Sequence, residues 1–95
     1  MRFEWDDKKA LENLSKHGVS FGEATEVFYD PNALEDYDLG HSDNEMRFRI
    51  IGLSSRRLLY VIYAERVLDV VRIISARKAD STQQQIYERT RPNNF

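Results

Sequence analysis

The chain has 95 residues, enough for one domain with a modest core and too few for two. It has no cysteine, which removes a disulfide framework and a thiolate metal site, and no apolar run approaches the roughly 20 residues that span a bilayer. The net charge of −2 conceals a division: residues 1–45 carry 4 Lys/Arg against 12 Asp/Glu, a balance of −8, whereas residues 46–95 carry 10 against 4, a balance of +6. Nine of the ten later cations are arginine, whose planar fork matches phosphate oxygens two at a time. Such a division suits a protein with one face for nucleic acid and another for a basic partner. The opening MRFEWDDKK has no apolar stretch of the signal-peptide kind, so the expected compartment is the cytoplasm and no membrane contact is expected.

In chain order, Phe3, Glu4 and Trp5 alternate apolar and acidic and suggest a short edge strand. Asp6 or Asp7 caps a first helix with apolar positions Ala10, Leu11 and Leu14, and Gly18 is placed to end it in a left-handed conformation. Lys16 and His17 fall in its last turn, where the helix dipole favours positive charge. That position gives both a structural purpose, and a general-base role for His17 is the sharper alternative. Ser20 followed by Glu23 forms a capping box, with Val19 and Ala24 as a weak hydrophobic staple. A second helix with an apolar stripe of Phe21, Ala24, Val27 and Phe28 runs from there to Asp30-Pro31, because the residue before proline resists the helical region.

Residues 32–44 are polar and acidic and read as an irregular connection, with a brief strand at 33–37. Three strand-like runs follow at meander spacing. In the first, residues 45–53, Met46, Phe48 and Ile50 point one way and Glu45, Arg47 and Arg49 the other. Residues 58–64, LLYVIYA, are a near-continuous apolar run of the central-strand kind, in which Tyr60 and Ile62 oppose Val61 and Tyr63. The third run covers residues 67–75. Asp80 with Gln83 repeats the capping pattern at the start of a short polar helix, residues 81–90, with Ile86 and Tyr87 as its apolar contacts. A flexible tail is expected from about residue 91. The whole is one α+β domain: a short N-terminal strand, a two-helix hairpin, an antiparallel meander of three to four strands and a C-terminal helix.

The chemistry concentrates in VVRIISARKA, residues 70–79. Arg72 lies inside an apolar run, where an unpaired charge costs several kcal/mol, so it must reach water, a carboxylate or a ligand. Arg77 and Lys78 follow at the exit. If helices cover one face of the sheet, Arg47, Arg49 and Arg72 make a basic floor on the other. A metal site from His41 and the neighbouring acids has no recognised ligand spacing.

FEWDDKK, KHGVSFGEATEVFYD, the Glu45-x-Arg47 pair before IIG, and RIISARKA before a tyrosine-bearing helix together resemble the BrnT family of type II toxins, across roughly residues 3–87. That resemblance implies a RelE-like fold and an endoribonuclease that inhibits translation without a cofactor. It also implies neutralisation by a BrnA-type antitoxin, a heterotetrameric complex, and operator DNA contacted indirectly through the antitoxin. On the family's motifs, Arg72 and Arg77 would hold the scissile phosphate, and His17 and Glu45 would be the proton-transfer groups. Arg47, Arg49, Lys16 and, more peripherally, Lys78 would contact RNA. Two rivals stand beside this expectation: a catalytically silent module that acts only as operon co-repressor with its antitoxin, and a metal-dependent nuclease using His41 and nearby acids.

Overall fold

Among residues 1–38, 46–66 and 69–90, which the computed structural model describes, five strands join in one mixed sheet. The elements are β1 (Arg2–Glu4), α1 (Asp7–His17), α2 (Phe21–Thr25), a 3-10 turn (Glu26–Tyr29), β2 (Leu34–Tyr37), β3 (Arg47–Leu53), β4 (Leu58–Arg66), β5 (Val70–Lys78) and α3 (Ser81–Thr90). The sheet order is β1-β5-β4-β3-β2. The expected meander is thus four antiparallel strands, β2 to β5, and the N-terminal strand adds at the β5 edge in parallel, with Phe3 opposite Val71 and Glu4 opposite Arg72.

The capping residues act largely as their identities dictate. Asp6 accepts from the Lys9 N–H at 3.0 Å, and Gly18, at φ 69°, ends α1 with its N–H on the Leu14 carbonyl at 2.9 Å. Asp80 and Gln83 make both halves of the box that opens α3. Ser20 and Glu23 make only one. The Ser20 hydroxyl accepts from the Glu23 N–H at 3.0 Å, but the Glu23 carboxylate turns instead to Arg57, whose Nε and Nη2 donate at 3.0 and 2.8 Å, and to Ser54. A charge-assisted fork outcompetes a neutral backbone N–H as a partner. Arg57 Nη2 also donates to the Gly18 carbonyl, so this buried carboxylate ties the β3–β4 turn to the junction between the first two helices.

Two expectations about the helices are corrected. The second helix is broken: after Thr25 it tightens into the 3-10 turn, a common way for a helix to end, where it passes over β3. A Cβ at Gly52 would meet the Val27 Cβ at 3.0 Å and the Val27 carbonyl at 3.1 Å, so glycine is what permits this close approach. In α1, Leu11 and Leu14 face solvent, 69% and 47% exposed, and the buried residue is Asn13. This helix docks through Ala10, which packs against the core, and through the polar Asn13 on β5, rather than through Leu11 and Leu14.

The core lies between the helices and one face of the sheet. Val19, Phe21, Ala24 and Val27 pack against Ile50, Leu59, Val61, Tyr63, Val71 and Ile73. Strand pairing carries the alternate residues to the opposite face: Arg47, Arg49 and Ile51 on β3, and Tyr60, Ile62 and Ala64 on β4. No helix covers most of that face among the described residues. At one end α3 stands beside it, anchored by the buried Tyr87, whose hydroxyl donates to Asp30 at 2.6 Å.

Candidate active site on the open face

The open face acquires both arginines of β5 through an irregularity in that strand. Ile62 pairs with Ser75 and Tyr63 with Ile73, so Ile74 has no partner on β4 and forms a β-bulge. Side chains alternate along a strand, so residues five apart ordinarily point to opposite faces. The extra residue resets the alternation. Arg72 pairs with Ala64 and Arg77 with Tyr60, and both arginines emerge on the open face while Ile73 and Ala76 remain in the core.

Beside the bulge is a hollow of about 290 Å³ lined by His17, Asp38, Arg47, Tyr60, Ile62, Ile74, Ser75, Ala76 and Arg77. Arg77 lies with its guanidinium carbon 4.9 Å from the centre of the Tyr60 ring, a cation–π contact that restrains an otherwise mobile side chain. Arg47 enters from β3, where its carbonyl accepts the Asp38 N–H at 2.9 Å, and Asp38 is buried. His17 enters from the C-terminal turn of α1. Its helix is held there by Asn13, whose Nδ2 donates to the carbonyls of Ala76 (2.8 Å) and Val19 (2.9 Å) and whose Oδ1 accepts the Ala76 N–H at 3.1 Å.

The other sequence-derived residues are distributed around this hollow. Arg72 lies outside it, about 16 Å along the strand from Arg77, and its Nη1 is 3.1 Å from Glu4. Arg49 donates to both oxygens of Asp36, at 2.5 and 3.2 Å, and this pairing, with Tyr60 second, pushes its already high pKa further up. It lines a second hollow of about 370 Å³, where α3 contributes Gln83 and Ile86 and Tyr60 is the shared wall. Lys16 is exposed in the last turn of α1. Lys78 pairs with Leu59, on the core side of the sheet, and borders a hollow with Arg57 and Tyr87 away from the cluster. Glu45 and His41 lie outside the described residues, and among the described residues no group of three His, Cys, Asp or Glu assembles that could hold a metal.

The sequence does not single out Tyr60, Ser75 or Asn13 as site residues, and offers Asp38 only as one of the acids near His41. Tyr60 had a signal: it is a residue with a polar tip in the open-face register of an otherwise apolar strand. Asn13 had none, because its partners are 6 and 63 residues away. Chemically, the hollow offers two guanidinium groups, an imidazole and the single carboxylate of Asp38 beside an apolar and aromatic wall, a net-cationic arrangement suited to an oxyanion attached to a ring.

Comparison with known proteins gives the family and the fold. A family model described as "Ribonuclease toxin, BrnT, of type II toxin-antitoxin system" matches residues 5–83. No curated protein sequence matches the chain. The fold is similar to the crystal structure of the Brucella abortus ribonuclease toxin BrnT, with a TM-score of 0.66 and 23% identity, over 85% of this chain and 99% of that one. The architecture of strand, two helices, antiparallel strands and final helix on a five-stranded sheet is therefore that of a solved BrnT structure. Since the family match runs through both the helical hairpin and the arginine-bearing strand, the chain belongs to the BrnT family of ribonuclease toxins of type II toxin–antitoxin systems.

Proposed function

We propose that this toxin is a metal-independent endoribonuclease that inhibits translation by cleaving RNA, with the reacting phosphate received in the hollow between His17, Arg47 and Arg77. The observation that carries this reading is the convergence of those three side chains from α1, β3 and β5 on one hollow of the uncovered face. Attack by a ribose 2′-hydroxyl on the adjacent phosphorus needs a proton acceptor, cations for the charge that grows on the non-bridging oxygens, and a proton for the departing 5′-oxygen. Arg77 and Arg47 supply the charge stabilisation. His17 exchanges one of the protons, and Glu45 is the partner proposed for the other by likeness to the family motif.

Arg72 and Arg49 extend the path on either side. Each is held by a partly exposed carboxylate, Glu4 and Asp36 respectively, and ion pairs of that kind are worth only about 0 to 1 kcal/mol. An RNA phosphate can therefore exchange for either carboxylate at little cost. Lys16 adds charge at the rim and Lys78 stands apart.

A type II toxin has a cognate antitoxin. We propose a BrnA-type protein that covers the open face, assembles with the toxin as a heterotetramer in the cytoplasm and supplies the contacts to operator DNA. The test is cleavage of a single-stranded RNA by purified toxin in excess chelator, repeated with Arg77→Ala and His17→Ala. The expected result is cleavage by the wild type and loss of at least tenfold in each variant. Unchanged activity in both variants overturns the site. Absence of wild-type cleavage, with normal growth on expression, favours the silent co-repressor module.

A further inference from the structure

We infer that Asn13 is a positioning residue of this site, one that fixes the relation between His17 and Arg77; the inference rests on the ribonuclease reading above and adds a residue to it. The outer edge of β5 is paired by β1 only from Val70 to Arg72. Beyond that point the described structure gives β5 no strand on this side, and α1 lies there instead. Ala76 directs both its N–H and its carbonyl outward, and the Asn13 carboxamide satisfies both, at 3.1 and 2.8 Å. The second N–H of the same amide reaches the Val19 carbonyl at 2.9 Å. Asn13 is 6% exposed, so these three bonds form where water does not compete.

The consequence is geometric. One planar group bonds to the backbone on both sides of the hollow: Ala76 adjoins Arg77, and Val19 follows His17 by two residues across the left-handed Gly18. Asn13 is also four residues before His17, on the same side of α1. Oδ1 and Nδ2 have fixed separation, so the amide sets both the distance and the rotation of α1 relative to β5. An apolar residue of equal volume gives neither, and leaves an N–H and two carbonyls buried without partners. Ionised aspartate keeps only the acceptor and turns its second oxygen towards two carbonyls.

The experiment compares the wild type with Asn13→Ala and Asn13→Asp, using the full-length toxin, a single-stranded RNA and chelator. It measures kcat and KM separately, with circular dichroism to confirm the folded fraction at the assay temperature. A shift of about 1 Å between reacting groups lowers a rate about 100-fold, so Asn13→Ala is expected to lose ten- to a hundredfold in kcat with KM within about threefold. KM holds because the exposed arginines that attract RNA are untouched. In Asn13→Asp the defect should shrink as pH falls and the carboxyl regains a proton to donate, giving a pH profile of different shape from the wild type. A fully folded Asn13→Ala variant with wild-type kcat overturns the inference, as does a loss that scales only with the unfolded fraction. The placement has its own readout: hydrogen exchange of the Ala76 amide, slow in the wild type and fast in Asn13→Ala. If the wild type cleaves no RNA, the functional reading fails, and the exchange measurement still decides whether Asn13 holds the two sides together.

Discussion

Arg72 and Arg77 stand five residues apart on one strand and yet share a face, because the unpaired Ile74 between them shifts the alternation by one. Their surroundings differ all the same. Arg77 lies over Tyr60 in the hollow with His17 and Arg47, whereas Arg72 is held at Glu4 about 16 Å away along the strand.

Substitution should separate the two arginines kinetically. Arg77→Ala is expected to lower kcat by about 10²- to 10³-fold, the usual effect of removing one donor to a transition-state oxyanion. Arg72→Ala is expected to leave kcat within a fewfold, to raise KM, and to flatten the slope of log affinity against log salt by about 0.7, the value for one phosphate contact on a single strand. Steady-state kinetics at several salt concentrations measures both.

Tyr60 meets Arg77 with its ring, so the ring and not the hydroxyl is expected to matter for Arg77. Tyr60→Phe should keep activity close to that of the wild type, while Tyr60→Ala should lower it about twofold to thirtyfold, matching a cation–π contact of about 0.5 to 2 kcal/mol. Equal losses in the two variants would point to the hydroxyl instead.

Much of this architecture can be read from the chain. The caps at Asp6, Gly18, Ser20 and Asp80 are local, and each helix starts or stops where they place it. The alternation of Phe48 and Ile50 against Arg47 and Arg49 carries through to the two faces of β3. What could not be read was non-local. Periodicity marks Leu11 and Leu14 as a stripe without saying that α1 docks by another side, because the docking contact is an amide whose partner lies in β5. The bulge at Ile74 leaves no residue signature, since isoleucine suits a regular strand equally well, and without it the two arginines would part. The Glu23 carboxylate left its capping box because Arg57, 34 residues later, arrives beside it.

That last pair makes stability depend on pH. The Arg57 hydrogen bonds, helped by Ser54 and opposed by burial, hold the Glu23 carboxyl below its ordinary value of 4.5. A lowered folded-state pKa means that the contribution is complete above the unfolded value and disappears as pH falls through the lower, folded one. Glu23→Gln is therefore expected to cost about 2 kcal/mol at pH 7, and the gap between it and the wild type should narrow as pH falls below 4.5 and through the lower, folded-state value. Urea titrations across that range measure it.

The α3 anchor is a smaller, separable term. Tyr87→Phe removes the hydroxyl from Asp30, which still accepts from the Leu53 N–H at 2.8 Å. A loss of about 1 kcal/mol is expected, with α3 more open to limited proteolysis and the sheet unaffected.

The proposed reaction is metal-free cleavage by the 2′-hydroxyl in the hollow that His17, Arg47 and Arg77 line. Its most direct measurement is the chemical identity of the new RNA ends produced by purified toxin in excess chelator. Attack by the 2′-hydroxyl leaves a 2′,3′-cyclic phosphate on the upstream fragment and a free 5′-hydroxyl on the downstream one, and both products are expected to be lost in Arg77→Ala. A 5′-phosphate with a free 3′-hydroxyl, or cleavage that stops in chelator and returns with a divalent ion, would contradict it.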